Sequence, residues 1–120
     1  MKEHFVNYTQ ALALKESGFD EPCFESYTEN GNLIPYTVGL YYIPRPLKSQ
    51  VFKWFREVHK IHGSYGTTSD SREEINGYCI SNFIDGNRNY LHIDWEVGTY
   101  EEAESACIDK LISIIKEKKS

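Results

Sequence analysis

No apolar run in this chain approaches the roughly 18 residues of a membrane-spanning helix, and the opening MKEHFVNYTQ lacks the apolar core of a signal peptide. Both absences point to a cytoplasmic protein with no membrane role. Cysteine is scarce: Cys23, Cys79 and Cys107 stand singly and are odd in number. Without a C-x-x-C pair there is no zinc-ribbon or thioredoxin-type motif, and reduced, mostly buried thiols are expected. Positive charge is also short, with 13 Lys and Arg against 18 Asp and Glu, a net charge of −5. Duplex binding draws much of its affinity from neutralised phosphates, so an acidic domain argues against nucleic acid as a partner. The one basic cluster, Lys116, Lys118 and Lys119, suits the C-terminal dipole of a helix. A Gly-rich phosphate loop, an H-E-x-x-H and a Ser-His-Asp order are all missing, so no cofactor and no metal are expected.

What is present is enough for a core. The 120 residues are 40% hydrophobic and 26% charged, the composition of one folded domain spanning 1–120. The centre of the chain, LKSQVFKWFREVHKIHG at 47–63, carries an apolar stripe at helical spacing: Leu47, Val51, Trp54, Phe55, Val58, Ile61 and His62. Pro46 suits the first helical position and Gly63 the stop. Lys48, Gln50, Lys53, Arg56, Glu57 and Lys60 fall mostly on the opposite side.

An earlier helix is expected over 8–17. Asn7 and Gln10 have capping-box spacing, Val6 and Ala11 the staple positions, and Gly18 with Phe19 a left-handed ending that returns to Leu14. Strand-like stretches follow: 23–28 and 33–34 around an Asn-Gly turn, then 36–43, where Val38, Leu40 and Tyr42 alternate with Thr37, Gly39 and Tyr41. Pro35 marks an edge or a bulge. Residues 64–67 suggest a short strand and 68–77, TSDSREEING, a mobile loop.

A second hairpin is expected from 78–84 and 90–97 across the connection 85–89. Its second strand alternates: Leu91, Ile93, Trp95 and Val97 should face the core, and Tyr90, His92, Asp94 and Glu96 the solvent or a ligand. The last helix opens on a Thr99–Glu102 capping box and continues along Tyr100, Ala103, Cys107, Leu111, Ile114 and Ile115. The expected class is α+β, a mainly antiparallel twisted sheet with three helices packed on one face.

Several constellations are weighed on chemistry. His92, Asp94 and Glu96 recur about 7 Å apart on one strand face and are reasonable metal-ligand types, yet a solvated face accounts for them as well. His59 and His62 lie three apart, but both fit a packed core edge. Cys79 or Cys107 beside a histidine would make a nucleophile pair, and nothing local marks either one. Nine tyrosines stand out, among them Tyr27, Tyr36, Tyr41, Tyr42, Tyr65, Tyr78 and Tyr90, a residue type favoured both in strands and at interfaces.

Three stretches, YTQALALKESGFDEPCF at 8–24, VFKWFREVHKIH at 51–62 and TYEEAESACIDKLISII at 99–115, together resemble a family of small phage and prophage proteins of Bacteroidetes and other gut bacteria. The resemblance implies a viral or prophage origin and action in the cytoplasm of a host bacterium. It brings no activity and no catalytic residue. The leading expectation is therefore a non-enzymatic accessory protein that binds a bacterial protein or a small ligand through Tyr90, His92, Asp94 and Glu96. The alternative is a small enzyme or a nucleotide-binding sponge using the same open sheet face, with the 68–77 loop as the fallback binding surface.

Overall fold

The computed structural model describes residues 4–70, 73–95 and 98–119. Its elements run α1 (Tyr8–Glu16), β1 (Glu25–Tyr27), β2 (Leu33–Pro35), β3 (Ile43–Arg45), α2 (Lys48–Trp54), a π-helical turn (Phe55–His59), β4 (His62–Asp70), β5 (Glu73–Ile84), β6 (Asn87–Asp94) and α3 (Tyr100–Lys119). The class is α+β. The strands do not form one sheet, however. They divide into two antiparallel three-stranded sheets, in the orders β2–β1–β3 and β4–β5–β6.

Helix α1 is built by its caps. Asn7 Oδ1 accepts from the Gln10 amide at 2.8 Å, and the Gln10 side chain accepts from the Asn7 amide at 3.2 Å. Gly18 ends the helix at φ 101°, and the Phe19 amide returns to the Leu14 carbonyl at 2.9 Å. Gln10 has a second task. Its buried Nε2 donates to the Ser105 carbonyl and hydroxyl and to Asp109, tying α1 to α3.

The central helix departs from its expected bounds. Pro46 precedes it, and Leu47 bridges to Phe5 before α2 starts at Lys48. Wider π-helical winding follows from Phe55 to His59, and Lys60, left-handed at φ 58°, stops the helix. The wider turn shifts the apolar stripe. Phe55 and Ile61 remain in the core, while Val58 is 56% exposed. Gly63 belongs to β4, where a β-carbon would stand 3.0 Å from Phe52, Cys107 and Leu111. Its role is close approach of a strand to α3, not a helix stop.

Residues 36–42 form a loop rather than a strand, because side chains claim the backbone groups a ladder would need. The Ser26 hydroxyl, fully buried, accepts from the Thr37 amide at 3.1 Å and donates to the Thr37 carbonyl. The Lys15 ammonium donates to the carbonyls of Leu40 at 2.6 Å, Tyr42 at 2.7 Å and Gly39 at 3.3 Å. Pro44 sits inside β3, and both β2 and β3 are edge strands where proline is tolerated.

Of the expected mobile loop at 68–77, residues 68–70 and 73–77 are strand, and 71–72 lie outside the described residues. Antiparallel pairing runs from His62↔Ser81 out to Asp70↔Glu73, so the short strand at 64–67 is the inner part of a long hairpin. The next connection is tighter than the expected 85–89. Asp85 and Gly86, at φ 52° and 80°, make a two-residue turn of the type that follows strand twist.

The buried residues form one cluster that joins α1, α2, β1, β3, β5 and α3, centred on Leu14, Val51, Trp54, Phe55, Ile80, Ile108 and Leu111. Helix α3 lies across β4 and β5, and α1 packs on β3 and α3.

Candidate functional site

Residues directly opposite each other in an antiparallel pair share a face, so the register decides which side of the second sheet each one occupies. Tyr78 and Ile80 are buried, at 6% and 0% exposure, and therefore mark the covered side. Asp94 pairs with Tyr78 and His92 with Ile80. These two site residues thus belong to the side that carries the core. His92 is half-buried, with its ring stacked on Tyr78 at 5.5 Å and 27°. The Tyr78 phenol is held above its ordinary pKa by burial first and by Asp94 second.

Between Ile80 and Ser81 the register slips. Ile80 pairs with His92 but Ser81 with Tyr90, which leaves Leu91 as an extra residue, a β-bulge. The bulge breaks the expected alternation. Tyr90 goes to the side opposite His92, where Ile93 also stands through its pairing with Cys79. On this outer side Tyr90 is 56% exposed, Ile93 49% and Phe83 48%. Leu91 at the bulge is 42% exposed, and the Arg88 guanidinium lies 5.2 Å above the Phe83 ring and 5.9 Å from that of Tyr90.

Trp95 extends the surface. A β-carbon on Gly77 would meet the Asp94 carbonyl oxygen and, at 2.6 Å, the Trp95 ring. The indole therefore lies directly on the β5 backbone at Gly77, a position only glycine vacates, and is itself 45% exposed. The expected core face of Leu91, Ile93 and Trp95 is thus the exposed one, because α3 covers the other side of β4 and β5. Glu96 and Val97 lie outside the described residues. Of the expected binding set, Tyr90 alone is placed on the open side; His92 and Asp94 are not brought together with it.

The remaining constellations resolve into packing. His59 sits edge-on to Trp54 at 4.7 Å, whereas His62 meets Phe83 at 5.2 Å, so the two rings serve different aromatic partners. Burial, with a smaller contribution from Cys79, pushes the Cys107 thiol up to about 12. Burial and Glu21 push Cys23 up to about 11. Thiols so shifted stay protonated at neutral pH and make poor nucleophiles. Among the described residues, no three His, Cys, Asp or Glu side chains converge as a metal site would require.

One polar network was not foreseeable. Lys48, expected on the solvent side, is buried and pairs with Glu104 at 3.5 Å, and the Tyr65 hydroxyl donates to the same carboxylate at 2.6 Å. Burial, then this hydrogen bond, raises the Tyr65 pKa. The triad joins α2, α3 and β4, and nothing in local spacing signals a contact between residues so far apart in the chain. The chain matches no protein-family model, no curated protein sequence and no solved structure.

Proposed function

We propose that this chain is a non-enzymatic binding protein, a phage or prophage accessory factor that contacts a bacterial host protein in the host cytoplasm through the outer face of β4–β5–β6. The observation that carries this reading is the exposed group Phe83, Arg88, Tyr90, Ile93 and Trp95 on one side of a three-stranded sheet, with Leu91 exposed at the bulge beside it. Aromatic residues and arginine are the types enriched at protein contacts, and contiguous apolar surface of this kind is costly unless something covers it. Phe83, Arg88, Tyr90 and Ile93 stand on paired strands rather than on a loop, so little ordering entropy is lost on contact. The origin and the compartment rest on the resemblance of the three helical stretches. No helix among the described residues is long and apolar enough to cross a membrane.

The enzymatic alternative has less behind it. Its ionisable residues His92 and Asp94 belong to the side bearing α3, and the Cys23 and Cys107 thiols are held protonated. The test is capture from host lysate on immobilised protein, with mass analysis of what is retained. The double variant Tyr90→Ala with Ile93→Ala should lose the captured species while keeping the parent melting curve. Undiminished capture by that variant would place the contact surface elsewhere.

A further inference from the structure

A cleft opens between α1 and the 36–42 loop, remote in sequence from the β6 face and independent of it. We infer that this cleft binds a small organic cation, an ammonium or guanidinium group carried on an apolar body. The space is about 320 Å³, at the lower end of the range of roughly 300–1,000 Å³ that holds small ligands. Tyr8 and Leu12 wall it from α1, Leu40 and Tyr41 from the loop, and Glu16 and Glu29 line it with carboxylates.

The walls are fixed in advance. Lys15 gathers three loop carbonyls on its ammonium, so the loop backbone is tied to the helix. The Tyr8 hydroxyl donates to the Glu29 carbonyl at 3.0 Å, and its ring stands edge-on to the buried Tyr27 at 5.4 Å. Such ties hold Leu40 and Tyr41 outward, at 80% and 64% exposure, against the tendency of apolar side chains to fold back. A preorganised wall spares the ligand the entropy of ordering it.

Charge selects the ligand class. The Lys15 ammonium is already engaged by carbonyl oxygens, whereas the Glu16 and Glu29 carboxylates have no cationic partner among the described residues. An incoming cation therefore meets two carboxylates against the single Lys15 ammonium, a net negative lining, together with the two tyrosine rings that line the same cleft. The apolar part would rest on Leu12 and Leu40. An anion finds no free donor of comparable strength in the same cleft, and the chain as a whole carries −5.

The experiment is a titration of the full chain with benzyltrimethylammonium, followed by amide and aromatic NMR shifts, with benzyl alcohol as the neutral control and an N-acetyl Gly-Arg-Gly amide as the peptide arm. Shifts from the ammonium probe should map to α1 and the 36–42 loop, and benzyl alcohol should bind far more weakly. The double variant Glu16→Gln with Glu29→Gln, both at exposed positions, should lose about tenfold in affinity, and Tyr41→Ala a similar amount, the scale of a partly desolvated cation–π contact. Unchanged binding in these folded variants, or shifts centred elsewhere, overturns the inference. So does an absence of shifts at millimolar probe. Tighter binding of the peptide than of the free ammonium overturns the small-molecule assignment and makes the occupant an arginine of a partner protein.

Discussion

Along α3, Ala103, Cys107, Ile108 and Leu111 are fully buried and Ile115 is 3% exposed, whereas Tyr90, Leu91 and Ile93 along β6 are 42–56% exposed. In the sequence both elements carry apolar residues at the right period for their type, Leu91, Ile93 and Trp95 in the case of β6 and its end. What separates them is the partner each one meets. Gly63 in β4 lets α3 approach a strand backbone within contact of Cys107 and Leu111, and the Thr99–Glu102 capping box fixes where that helix begins. Strand β6 is a sheet edge, and α3 lies across β4 and β5 instead. Periodicity tells which residues share a side; coverage is decided by the rest of the fold.

The covered side should carry the stability. Trp54 is 4% exposed and meets Phe19 at 5.3 Å, Phe55 at 5.0 Å and His59 at 4.7 Å, all in edge-on geometry. Trp54→Ala should therefore cost about 3–5 kcal/mol, the range for large-to-small changes in a core. Equilibrium urea unfolding measures it. A midpoint equal to that of the parent would mean that the central cluster is not the core.

How much of this was legible beforehand follows the range of the interactions. Asn7 with Gln10, Gly18 with Phe19, and Thr99 with Glu102 act within a few residues, and all three caps stand where spacing alone put them. The alternation over 36–43 predicts a strand, but Lys15 and Ser26, 11 to 27 residues away, take the hydrogen-bonding groups of 37–42. The candidate site failed in a similar way. A single bulge at Leu91 is enough to send Tyr90 and His92 to opposite sides, and no residue there announces it. Polar content at 68–77 suggested a loop, although Thr67 and Asn76 face each other in a ladder and share a 2.6 Å hydrogen bond.

A smaller effect should come from the point where Trp95 crosses β5. Gly77→Ala forces a methyl group into the Asp94 carbonyl and the indole, so Trp95 or the strand must move. Overpacking of this kind typically costs about 1–3 kcal/mol. The expected result is a lowered thermal midpoint together with greater acrylamide quenching of Trp95 fluorescence, read in a Trp54→Phe background. A variant as stable as that background, with unchanged quenching, would show that the indole does not rest on Gly77 and that the outer surface is arranged differently.

The smallest effect makes the sharpest comparison, because it sets the two sides of one strand against each other. His92 is half-buried and stacked on Tyr78, so His92→Ala removes an aromatic pair worth about 0.5–1.5 kcal/mol beyond the area it buries. Tyr90, two residues earlier, is 56% exposed, with the Arg88 guanidinium 5.9 Å away as its nearby cation. Surface substitutions of this sort usually stay within about 0.5 kcal/mol, so Tyr90→Ala should be nearly silent in unfolding while still weakening partner capture. The order of the two losses is the measurement, taken from paired urea titrations of the single variants. Should Tyr90→Ala cost more than His92→Ala, the outer side must be covered in solution. Sedimentation of the parent chain would then identify a second copy as the cover, since a self-associating face loses stability on dilution as well as on mutation.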